Sequence, residues 1–139
     1  MNTRISKYQQ AQKELPLSGA NPHQVIQILM RELLSQVYQA RVCIERTDIE
    51  GKNKSINKAI KIVGGLQGGL NLKEGAEIAG NLDSLYNYIT VRLTDANAEN
   101  STEILDEIKE LFFPIKEAWD NISESDKALG IKLISEAKQ

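Results

Sequence analysis

His23 and Cys43 are the single histidine and single cysteine of the chain, and neither stands where its chemistry would be used. Some helical bundles relay phosphate through an exposed mid-helix histidine, but His23 follows Pro22 in what reads as a first helical turn. Bundle metal sites use Glu-x-x-His pairs on facing helices, and this sequence contains none. One cysteine excludes an internal disulfide framework and fits a reducing compartment. Cys43 falls near the edge of an apolar face, where a small hydrophobe is expected. The phosphate-cradling GxxxxGK[ST] loop, GxGxxG and HExxH are all missing. The residues for nucleophilic, metal and nucleotide chemistry are therefore not assembled. The expectation is a protein that is not an enzyme, with no cofactor and no metal.

Surface features remain. Lys52, Lys54, Lys58 and Lys61 follow one another with no acid among them, whereas residues 99–126 carry nine acids against Lys109 and Lys116. These read either as solvated faces or as charge that steers a partner. Gly64-Gly65 and Gly68-Gly69 interrupt a helical pattern, each interior glycine costing roughly 1 kcal/mol relative to alanine. Beside Ile60 and Ile62 they make a side-chain-free groove that a helix backbone can approach. That helix is either one of the chain's own or a partner's.

The elements that must position these features are helices. Asn21-Pro22-His23-Gln24 combines an N-cap, a proline at the first helical position and a capping-box glutamine. Ile26, Leu29, Met30, Leu33, Val37, Ala40 and Ile44 follow at spacings of three and four. Ile28, Leu34, Tyr38 and Val42 make this helix apolar nearly all round, so its back is either covered by another segment or receives a partner. A second helix covers roughly 52–71 on Ile56, Ala59, Val63, Leu66 and Leu70. A third spans about 75–96 on Ile78, Leu82, Leu85, Ile89, Leu93 and Ala96. A fourth begins at Asn100-Ser101-Thr102-Glu103 and carries Ile104, Leu105, Ile108, Leu111, Phe112, Ile115, Trp119 and Ile122. Pro114 lies inside it and removes one backbone bond. Tyr86 and Tyr88 fall on opposite flanks of the third helix, Tyr86 inward and structural with its hydroxyl bonded, Tyr88 nearer a ligand or loop.

Four long amphipathic helices with short loops predict an all-α fold, an antiparallel up-down four-helix bundle over residues 21–122. Residues 1–20, broken by Pro16 and Gly19, read as a mobile N-terminal arm. Residues 123–139 read as a short, weak C-terminal helix or tail. The chain has 139 residues, enough for one domain with a real core. Its 17 basic against 19 acidic residues give a net charge of −2, which argues against nucleic-acid and anionic-membrane partners. No apolar run reaches the roughly 18 residues of a membrane span, and the start lacks the apolar core of a secretory signal.

The third helix also carries a specific pattern: Ile78-Ala79, Asn81-Leu82, Leu85-Tyr86, Tyr88-Ile89, Arg92-Leu93 and Ala96-Asn97. It resembles the signature of the flagellin-specific export chaperones, the FliS family. Ala20-Asn21-Pro22, Ala118-Trp119 and Tyr8 match further family positions, so that the resemblance covers about residues 5–122. The chain departs from the family pattern at Leu29-Met30-Arg31-Glu32 and at the glycine doublets. The resemblance implies a cytoplasmic, non-enzymatic chaperone. Its partner would be the disordered C-terminal segment of flagellin, ordered into helices along apolar grooves. It would keep flagellin from polymerising early and hand it to the flagellar type III export gate protein, with other flagellar regulators as further partners. Release would come from the export machinery.

On this reading the flagellin-binding residues are Ile60, Ile62, Val63 and Leu66 beside the glycines, Tyr88 and Arg92 on the third helix, and Tyr8 from the arm. Tyr8 is the aromatic of an otherwise polar segment, and the arm is expected to fold back and place it in or beside the groove, the alternative being a disordered arm. A reading of another class is a structural or regulatory bundle that homo-oligomerises through the same apolar surface.

Overall fold

Asn21 opens the bundle as the sequence predicts. Its side chain accepts from the Gln24 amide at 2.9 Å, and the Gln24 side chain accepts from the Asn21 amide at 3.0 Å. The computed structural model describes residues 3–13 and 21–122, which form five helices: α1 (Thr3–Lys13), α2 (Pro22–Glu45), α3 (Ile49–Gly68), α4 (Ala76–Glu99) and α5 (Thr102–Asp120). The four helices read from periodicity are α2 to α5. Each packs on the next, and α5 closes back on α2. The expectation for residues 123–139 lies outside the described residues. Among the described residues no helix is long and apolar enough to cross a membrane.

Boundaries move where caps override periodicity. Helix α3 starts at Ile49, ahead of the expected Lys52, because the Asp48 side chain accepts from the Gly51 amide. Helix α5 is capped by Ser101, whose Oγ accepts from the Ile104 amide, while Asn100 closes α4 at φ 51°. That left-handed conformation suits asparagine better than most residues. Lys52, read from sequence as part of a charged run, is buried. Its Nζ donates to the Asn97 carbonyl at 2.9 Å and to Asn100 Oδ1 at 2.6 Å. The ammonium thereby satisfies acceptors at the end of α4, beside the Asn100 and Ser101 amides that donate to the Ala96 carbonyl.

The core is one apolar cluster. Leu29, Leu33, Ile56, Ile89, Leu93, Leu105, Ile108 and Phe112 are closed to solvent. Tyr86 is buried among them with its ring 6.2 Å from that of Phe112, and burial pushes its phenol pKa up. Tyr88, two residues on, is 42% exposed. The opposite placements follow from the roughly 200° between residues i and i+2 on a helix.

His23 and Trp119 clasp the first and last helices of the bundle. Their rings stack at 4.8 Å, His23 Nε2 bonds the Trp119 carbonyl at 2.8 Å, and Trp119 Nε1 donates to the His23 carbonyl at 3.0 Å. Histidine here is a structural group. Trp119→Phe keeps an aromatic ring but removes that donor, while the His23 carbonyl retains its partner within α2. Loss of one hydrogen bond costs about 0.5–1.5 kcal/mol, so the melting temperature in thermal circular dichroism falls by a few degrees while the helical signal at 20 °C is retained.

Candidate functional site

Helix α1 is the element that the local pattern of the arm does not announce. It ends before Pro16, and its buried face consists of Tyr8 and Ala11. It lies on the outside of the bundle, along α3. What permits the contact is the absence of side chains on α3. A Cβ on Gly68 would stand 1.8 Å from the Arg4 carbonyl oxygen, one on Gly65 2.5 Å from the Ala11 Cβ, and one on Gly69 2.8 Å from the Tyr8 ring. Glycine is the residue that allows such backbone approach. Of the two helices the groove was expected to accept, the chain's own is the one seated there.

Tyr8 is 4% exposed, and desolvation pushes its phenol pKa up. Arg4 fixes the start of α1. Its guanidinium holds the Asp83 carboxylate of α4 in a two-point fork, at 2.7 and 3.1 Å, and also donates to the Gln67 carbonyl. The Arg4 hydrogen bond holds Asp83 below its ordinary carboxylate pKa. Arg4, Tyr8 and Ala11 are spaced i, i+4, i+7, which is the helical signal the arm does carry. Sequence reasoning missed it because one polar and one small residue do not make an apolar stripe.

The seven expected binding residues separate into four places. Tyr8 meets the glycine shelf. Ile60 and Ile62 border a cleft between α1 and α3, Ile60 half-buried and Ile62 nearly closed. Val63 and Leu66 face the bundle interior, at 0% and 2% exposure, and so back the shelf from the core side. Tyr88 and Arg92 stand on the α4–α5 seam. The Tyr88 hydroxyl donates to Glu107 at 2.6 Å, and Arg92 pairs with Glu107 at 2.9 Å and with Asp95 at 2.9 Å. These donors, Tyr88 first, hold the Glu107 carboxyl below its ordinary pKa. The structure thus does not bring Tyr88 and Arg92 to the shelf. On the α2–α5 side a second, smaller cavity of 310 Å³ is lined by Leu34, Tyr38, Leu105 and Phe113 among others. Tyr38 there is 64% exposed, so α1 does not cover the back of α2.

The shelf yields two tests. Gly68→Ala forces α1 away from α3, so hydrogen exchange of the α1 amides rises toward the unprotected rate while α2 and α5 stay protected. Gly64→Ala is the control, because its Cβ would meet only Lys7 Cδ at an ordinary 3.4 Å. The Asp83 pairing also sets a pH window. A carboxylate with a lowered folded pKa contributes stability above its ordinary value, 3.8 for Asp83, and loses it as pH falls through the lowered one. Protection of α1 therefore declines below about pH 4 in the wild type, and the decline is absent in Asp83→Asn.

The sequence also matches known proteins. A family model described as flagellar protein FliS matches residues 4–126. The chain is 46% identical over 119 residues to the flagellar secretion chaperone FliSB of Pseudomonas aeruginosa, covering 86% of this chain and 94% of that protein. It is 38% identical over 120 residues to the flagellar secretion chaperone FliS of Salmonella typhimurium, covering 86% and 89%. To the same-named protein of Vibrio cholerae it is 32% identical over 122 residues, covering 88% and 90%. A helical bundle whose external shelf is cut to hold a helix, and whose sequence matches these proteins over most of their length, belongs to the FliS family of flagellar secretion chaperones.

Proposed function

We propose that this chain is a cytoplasmic export chaperone for flagellin. It binds the disordered C-terminal segment of flagellin in helical form, blocks premature polymerisation, and assists delivery to the gate of the flagellar type III export apparatus. The observation that carries this reading is the glycine shelf of α3 with α1 seated on it. A surface shaped for a helix backbone, and filled by a helix that buries only Tyr8 and Ala11, suits exchange of one helix for another. A flagellin segment with a fuller apolar stripe takes the place of α1 and reaches Ile60 and Ile62 as well. Folding on binding then offsets part of the contact energy, so the complex is reversible. The relatives' shared description as secretion chaperones supports the same reading.

Because α1 occupies the shelf, apparent affinity is reduced by the fraction of molecules in which the shelf is open. The test is a calorimetric titration of the full chain with a synthetic flagellin C-terminal peptide. The expected result is a one-to-one complex and a gain of peptide helicity. Asp83→Asn removes the anchor of α1. Since the Arg4 side chain is 41% exposed, the pair is worth about 0.2–1 kcal/mol, and the variant binds the peptide up to about fivefold more tightly. Absence of peptide binding, together with concentration-dependent self-association on gel filtration, would favour the homo-oligomeric bundle instead.

A further inference from the structure

The cleft between α1 and α3 has a volume of 390 Å³, within the range of about 300–1,000 Å³ typical of ligand sites. Its walls are apolar at Ala11, Ile60 and Ile62, and its mouth carries Lys7, Lys58 and Lys61. No acid lines it. Lys58 makes one long contact with Glu32, at 3.7 Å. Lys7 and Lys61 are exposed and have no ion pair among the described residues. Apolar groups beside ammonium groups, two of them without an ion pair among the described residues, complement one kind of occupant, an apolar side chain flanked by carboxylates. Among the described lining groups there is no aromatic residue on which a nucleic-acid base would stack.

We infer that this cleft docks an acidic amphipathic peptide segment of a partner protein while α1 stays in place. An apolar side chain of the segment enters between Ala11 and Ile62, and its carboxylates meet Lys7, Lys58 and Lys61. Since α1 supplies one wall, the occupant binds only molecules in which α1 is seated on α3. It shifts the population toward that state and thus opposes any ligand that needs the shelf vacated. The site concerns the closed form and does not rest on the flagellin reading.

The probe is a blocked helical peptide with leucines at i and i+4 flanked by glutamates, and a twin with the same leucines flanked by lysines. With the full-length protein, the glutamate peptide shifts the amide resonances of Ala11 and Ile62 and slows hydrogen exchange in α1, and the lysine twin does neither. Lys7→Glu combined with Lys61→Glu weakens the glutamate peptide at least tenfold and confers binding of the lysine twin. Should that variant not fold, Lys7→Gln with Lys61→Gln shows the weakening alone. Equal binding of both peptides, no shifts at millimolar peptide, faster exchange in α1, or an unchanged affinity of the variants overturns the proposal. Binding of phosphatidylserine vesicles without binding of the glutamate peptide also overturns it, in favour of a lipid surface. The flagellin-peptide titration is measured separately and is untouched by any of these results.

Discussion

The close approach of two backbones governs the outer face of this protein. With the Arg4 carbonyl where a Gly68 side chain would begin, α1 and α3 can meet only if α3 gives up side chains. That concession weakens α3 as a helix in its own right, by roughly 1 kcal/mol for each interior glycine. Packing repairs the loss. On the inner side Ile56, Ala59, Val63 and Leu66 are closed into the core, and on the outer side α1 covers the bare stretch. The second half of α3 is therefore a helix made by its neighbours, and its state is coupled to whatever lies upon it.

Much of this was legible from residue spacing, and the exceptions have physical causes. The helices α2 to α5 carry long apolar stripes, so their existence is fixed by local pattern, and the Asn21–Gln24 box marks the start of α2 to the residue. Tyr86 and Tyr88 separated correctly because helical geometry alone decides it. By contrast, α1 buries little, and its place is set by glycines some sixty residues away. Val63 and Leu66 share the shelf's sequence neighbourhood yet face the core, as their place in the stripe of the second helix predicts. The same limit applies to Tyr88 and Arg92, whose partner Glu107 lies on another helix. Lys52 was misjudged as a surface charge because the acceptors it satisfies, Asn97 and Asn100, belong to the end of α4.

Charge is organised by function of place rather than by helix. Arg41 ties α2 to Asp106 of α5 and pairs with Glu45 within α2, and Arg92 ties α4 to Glu107 of α5. The acidic excess of α5 is thus partly spent on bundle neighbours. The lysines of α3 are used unequally: Lys52 is consumed internally, Lys58 is half-engaged, and Lys61 is left at the surface.

The order of synthesis gives the Arg4–Asp83 contact a temporal meaning. The two residues are 79 positions apart. At translation rates of about 5–20 residues per second, the carboxylate appears roughly 4–16 s after the guanidinium it will hold. For most of that interval α1 exists without α4 and without the glycines of α3. A nascent segment with a broad apolar face would spend those seconds as an aggregation hazard on the ribosome. A segment that offers only Tyr8 and Ala11 for burial does not, and the sparse stripe that hides α1 from sequence reading keeps it harmless until its seat has been made.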